Sequence, residues 1–119
     1  MRYLLLINKD EARWDALDEA GRAEMMKRYT EYGMKMVNAG IVKAGAILQP
    51  TRAATTVRVR GGKALLTDGP FAETSEQIAG FAIIEVADLD AALEWARGHP
   101  DAEWGSVEVR PVVPWDPPR

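Results

Sequence analysis

A chain of 119 residues with 47% hydrophobic and 28% charged residues has the profile of one globular domain, long enough to bury a core without disulfide or metal staples. It contains no cysteine, which excludes disulfides, thiol nucleophiles and thiolate metal sites and points to a cytoplasmic protein. The net charge of −3 argues against nucleic acid as a partner, and no apolar run is long enough to span a membrane.

The chain opens on Arg2–Asn8, which is apolar on both faces if extended, with Tyr3, Leu5 and Ile7 on one side and Leu4 and Leu6 on the other. That pattern predicts a buried strand. From about Asp18 to Ala39 the spacing turns helical, with Met26, Tyr29, Gly33, Met36 and Gly40 three or four apart among polar residues. Asp18 is its expected N-cap and Gly40 the glycine just past its end.

A short glycine-containing strand is expected over Ile41–Leu48, closed by Gln49-Pro50. Thr55–Arg60 alternates, Gly61-Gly62 turns the chain, and Lys63–Thr67 returns, a hairpin signature. Thr74-Ser75-Glu76-Gln77 has the pattern of a capping box, which predicts the start of a short helix. Ile78–Val86 is apolar on both faces until Glu85 and reads as a central strand. Asp88 caps a second helix over Leu89–Arg97, Pro100 ends that region, and Ser106–Val112 is the last strand. The domain is expected over residues 1–113, followed by a proline-rich tail over 114–119 that is irregular or extended.

Strand, helix, strand, inserted hairpin, strand, helix, strand is a ferredoxin-like, split βαβ order in the α+β class. Right-handed crossovers put both helices on one face of the sheet. The strands that are apolar on both faces then need a cover for the other face, and a second copy of the sheet supplies it. The expected assembly is a homodimer packed sheet to sheet, a dimeric α+β barrel. Charge is also unevenly laid out. Tyr32–Thr67 holds Lys35, Lys43, Arg52, Arg58, Arg60 and Lys63 with no acid, whereas Asp68–Glu108 is acidic with Arg97 its one base. The basic stretch carries no interleaved aromatics for base stacking, so the two blocks are expected to face each other within a subunit or across an interface.

The string "DGPFAET" at Asp68–Thr74, with "GFAIIEVADLDAALEWA" after it and "GSVEVRPV" near the end, resembles the YCII-related family, in the subgroup named for its DGPF motif. The resemblance runs from the first strand through Val112 and implies a dimeric α+β barrel. It also implies a site built around a histidine and an aspartate. The histidine belongs on the first helix, at the position of Tyr29, and the aspartate immediately before the glycine of the central strand, at the position of Ala79. This chain therefore lacks that pair, and Asp68 and Tyr29 become the residues from which chemistry is expected.

Asp68 has two readings. Asp-Gly-Pro is good turn chemistry, with Phe71 plugging the edge of the core. Alternatively, the turn holds a carboxylate at the rim of a cleft as a general base or ligand anchor, facing Arg58 or Arg60. Tyr29 lies on the buried stripe of the long helix, either as core with a satisfied hydroxyl or as a site-lining group. Arg58 and Arg60 share one hairpin face, as solvated charges or as anchors for a small polar or anionic ligand. His99, the one histidine, is expected to sit at a helix C-terminus in a structural role and has no partners for zinc. No serine lies in a nucleophile elbow and the glycines form no phosphate or dinucleotide fingerprint, so neither a metal nor a cofactor is called for. Two functions follow. One is a cofactor-free small-molecule enzyme that transfers protons in a pocket near the DGPF turn. The other is a non-catalytic dimeric ligand-binding or regulatory module.

Overall fold

A computed structural model describes residues 1–114. Its main sheet contains β1 (Arg2–Lys9), β2 (Val42–Ile47), β5 (Gln77–Glu85) and β6 (Gly105–Pro111) in the order β2-β5-β1-β6, with all neighbouring strands antiparallel. This is the split βαβ order. β3 (Thr55–Arg60) and β4 (Lys63–Asp68) form a separate two-stranded sheet. Gly61 and Gly62 turn that hairpin with φ of 58° and 77°, both in the left-handed region open to glycine.

The two principal helices are α2 (Glu19–Asn38) and α3 (Leu89–Gly98), and each starts where an aspartate caps it. Asp18 accepts from the Gly21 N–H at 2.7 Å and Asp88 from the Ala91 N–H at 2.9 Å. The core stripe of α2 begins at Met25 rather than at the expected Met26: Met25 is buried and Met26 is 48% exposed. Counting from Met25 keeps Tyr29, Tyr32 and Met36 on one side, as a helical period requires.

Tyr3, Leu5 and Ile84 from the sheet pack with Met36, Ala92 and Ala96 from the helices. Leu5 and Ile84 are fully buried, and truncating either to alanine would cost on the order of 2–5 kcal/mol. Tyr3 pairs with Ile84 and Leu5 with Ala82, so strand alternation sends Leu4, Leu6, Ile83 and Phe81 to the opposite face. Arg2 and Lys43 both reach Glu85, one tie between the basic and acidic stretches.

Two short helices were not legible in the sequence: α1 (Glu11–Asp15) and α4 (Asp101–Trp104). The main chain and side chain of Thr51 both donate to the Glu11 carboxylate at 2.9 Å, and the Glu11 N–H donates to Gln77 Oε1 at 2.9 Å. These bonds bind α1 to the turn at Thr51–Ala53 and to the start of β5.

The helix expected to start at Thr74 does not form. The Thr74 hydroxyl donates to the Glu76 carbonyl, and Gln77 Nε2 donates to the Thr74 carbonyl at 2.5 Å. The polar groups that could have capped a helix close a turn instead, and β5 begins at Gln77. Phe71 does not plug the core edge either, since it is 71% exposed. The β3–β4 hairpin stands away from the body as an arm. The radius of gyration is 16.4 Å, against about 13–14 Å for a compact domain of this length. Of the expected proline-rich tail, 115–119 lies outside the described residues.

Candidate functional site

A cavity of 430 Å³ lies between α2 and the β2–β5 half of the sheet. Its origin can be read from side-chain volume. The helix-facing positions of that half include Gly45, Gly80 and Ala82, and above them α2 presents Gly33. A Cβ placed on Gly33 would meet nothing within 4 Å. Glycine in a helix interior costs about 0.5–1 kcal/mol relative to alanine, so local helix stability does not account for it; the space does.

Polar groups gather at one end. Tyr29 and Asp101 both line the cavity, and the Tyr29 hydroxyl donates to Asp101 Oδ1 at 2.5 Å. Asp101 is only 2% exposed. It begins α4, where the chain turns back toward β6 after Pro100. Its backbone N–H donates to Nδ1 of His99 at 3.0 Å, which leaves Nε2 as the protonated nitrogen of a neutral imidazole. His99 stands at the C-terminus of α3 as expected, and it also lines the cavity.

Environment sets the protonation of these groups. Burial, and then the hydrogen bond to Asp101, push the Tyr29 hydroxyl well above the usual tyrosine range, so it remains a donor. Burial pulls His99 below its ordinary value of 6.5, with Lys9 adding to the effect and Asp101 opposing it. Tyr32 is also raised by burial, and its hydroxyl is engaged by the Trp95 carbonyl. Lys9, from the end of β1, holds its ammonium 4.4 Å from the Trp14 ring centre and 4.9 Å from that of Tyr29. The cavity thus presents a carboxylate, a neutral phenol, a neutral imidazole and an ammonium against apolar walls. Such a set can orient a small molecule and move a proton on it.

The residues expected from sequence are not brought together in this chain. Tyr29 lines the cavity; Asp68 and Arg58 do not. Asp68 is exposed at the end of β4, and Arg58 donates to the Phe71 carbonyl at 3.2 Å. The reason is topological: both ride on the arm, which has its own sheet. Asp101 and Lys9 are the site residues that sequence reasoning missed. The signal for Asp101 was an acid two positions after the chain's one histidine, at a proline turn. Among the described residues no group of three His, Asp or Glu side chains could hold a metal ion.

A model of the YCII-related domain matches residues 1–116. The chain belongs to the YCII-related family. An uncharacterized protein of Rhizobium meliloti (strain 1021) is 40% identical over 119 residues, covering 98% of this chain and 96% of the relative. Among solved structures, this YCII-related chain resembles 5-chloro-2-hydroxyhydroquinone dehydrochlorinase (TftG) from Burkholderia phenoliruptrix, determined in complex with 2,5-dihydroxybenzoquinone. The TM-score is 0.57 with 10% identity, over 95% of this chain and 94% of the other. At that identity the likeness concerns the fold. No helix among the described residues is long and apolar enough to cross a membrane.

Proposed function

We propose that this protein is a small-molecule enzyme whose active site is the cavity between α2 and the sheet. Asp101 accepts a proton from an apolar-bodied ligand, and Tyr29 holds the carboxylate in place by hydrogen bonding. The observation that carries this reading is the Tyr29–Asp101 bond on the wall of an otherwise apolar cavity. A carboxylate withdrawn from water is costly, and stability alone is served as well by apolar packing. Its place beside ligand-sized space supplies a reason for it to be there. A ring compound with ionisable hydroxyls, the chemical class of the 2,5-dihydroxybenzoquinone bound by TftG, suits the size and polarity of the cavity.

The same reading assigns the protein to the DGPF branch of its family, on the string Asp68–Phe71, and to the cytoplasm, on its lack of cysteine. It also takes the working form to be a homodimer closing an α+β barrel. Leu4 opposite Ile83 and Leu6 opposite Phe81 give the helix-free face an apolar centre, and the arm leaves Val57, Val59 and Leu66 mostly exposed. A lone two-stranded hairpin is marginal in water without a cover. Arg58 and Asp68, carried on that arm, then belong to the contact with the second copy rather than to the chemistry.

The test is deuterium exchange from D2O into enolisable cyclic ketones, followed by proton NMR with the protein present. Exchange above the uncatalysed rate, lost in Asp101→Asn, is the expected result. Compounds that bind in the cavity yet never exchange faster than in buffer would contradict the enzyme and leave a binding module.

A further inference from the structure

We infer that the cavity selects a ligand with one negative charge on an apolar body, and that Lys9 is the residue that receives the charge. This rests on the reading of the cavity as a ligand site.

The cations near the cavity differ in what they are already doing. Lys43 lines it but is tied to Glu85 at 3.6 Å, and Arg28, next to Tyr29 in the chain, is tied to Glu103 at 3.1 Å. Lys9 also lines the cavity, and among the described residues it makes no ion pair. Its ammonium rests against the Trp14 and Tyr29 rings instead. Two ring faces hold a cation in position without neutralising it, so its charge remains available to an anion arriving from the cavity. A lysine that served only as a solvated surface charge would extend its head into water and away from such rings.

Asp101 fixes the direction in which a ligand lies. An anionic group placed beside the buried Asp101 carboxylate would be repelled, whereas the same group beside Lys9 is attracted. Both residues flank Tyr29 at the polar end of the cavity, so the anionic group goes to Lys9, a neutral, proton-bearing group beside it goes to Asp101, and the apolar body lies over Gly33, Gly45 and Gly80. A carboxylate, phenolate or enolate on one or two rings meets these requirements within 430 Å³. Arg58, the cation expected from sequence to bind an anion, sits on the arm and is not needed for this.

The experiment compares 1-naphthoate with the uncharged, near-isosteric 1-naphthamide, using the backbone amide shifts of Gly33, Gly45 and Gly80 as the readout. Wild type should bind naphthoate at least about tenfold more tightly than naphthamide, the scale of a charge-assisted contact. Lys9→Met should remove that preference while leaving naphthamide affinity unchanged, and Lys9→Arg should keep it. Equal affinities in wild type, or a preference that survives in Lys9→Met, would overturn the inference while the cavity reading stands. If neither compound moves the three glycine amides, the cavity reading fails and the inference goes with it.

Discussion

The Tyr29 hydroxyl donates to the Asp101 carboxylate at 2.5 Å across a separation of 72 residues in the chain. This bond joins the middle of α2 to the start of α4, so one contact both closes the polar end of the cavity and secures the short helix that precedes β6. Its removal should therefore be felt in stability as well as in activity.

Tyr29→Phe should lower the unfolding free energy by about 1–3 kcal/mol, because a carboxylate that is nearly fully buried loses a hydrogen-bond donor. Asp101→Asn, which retains an acceptor for the hydroxyl, should cost less than Tyr29→Phe. Urea denaturation of the two variants beside wild type decides the order. A Tyr29→Phe protein as stable as wild type would mean that water replaces the hydroxyl freely.

His99 should make folding sensitive to mild acid. Its folded value lies below 6.5 because burial disfavours the charged ring, so as pH falls the unfolded chain takes up a proton first. Stability from this group is complete above 6.5 and is lost as the pH drops toward the folded value. Between about pH 7.5 and about pH 5.5, wild type should lose more stability than His99→Gln, measured by urea denaturation at each pH. Parallel losses in the two proteins would place the sensitivity elsewhere.

Gly33 separates space from stability. Gly33→Ala should stabilise α2 by about 0.5–1 kcal/mol, since its Cβ meets nothing. Gly33→Leu should also fold, but it should fill the cavity and abolish binding of 1-naphthoate. Thermal unfolding and amide-shift titration on the same samples check both halves. Full binding by Gly33→Leu would show that ligands do not sit beneath α2.

Much of the frame was legible because it is written in short-range chemistry. Asp18 and Asp88 cap their helices, Gly40 and Gly61-Gly62 turn the chain, and two-faced apolar strands occupy the centre of the sheet. Thr74–Gln77 misled because the same polar groups that cap a helix can also close a turn. α1 and α4 went unseen because five and four residues are too few to show a period. The site was less legible than the fold. Tyr29 stood out by its position on the helix, but Asp101 looked like one more acid in an acidic stretch, and only the hydrogen bond from Tyr29, 72 residues away, gives it a role. Lys9 ended a strand in an unremarkable way until α1 placed Trp14 beside it.

Association should depend on the helix-free face. Leu6→Lys would set a charge opposite Phe81, at the centre of the proposed sheet-to-sheet contact, and should shift sedimentation from dimer toward monomer at micromolar concentration. An unchanged dimer would move the contact away from this face, and a monomeric wild type would remove it.

Nuclear Overhauser contacts between the ring protons of bound 1-naphthoate and the protein's methyl groups test the central claim most directly. Contacts are expected to Met36, Ile7 and Ala82, which line the cavity. Contacts confined to Val57, Val59 and Leu66 on the arm would show that the ring adheres to exposed apolar surface and would contradict a site between α2 and the sheet.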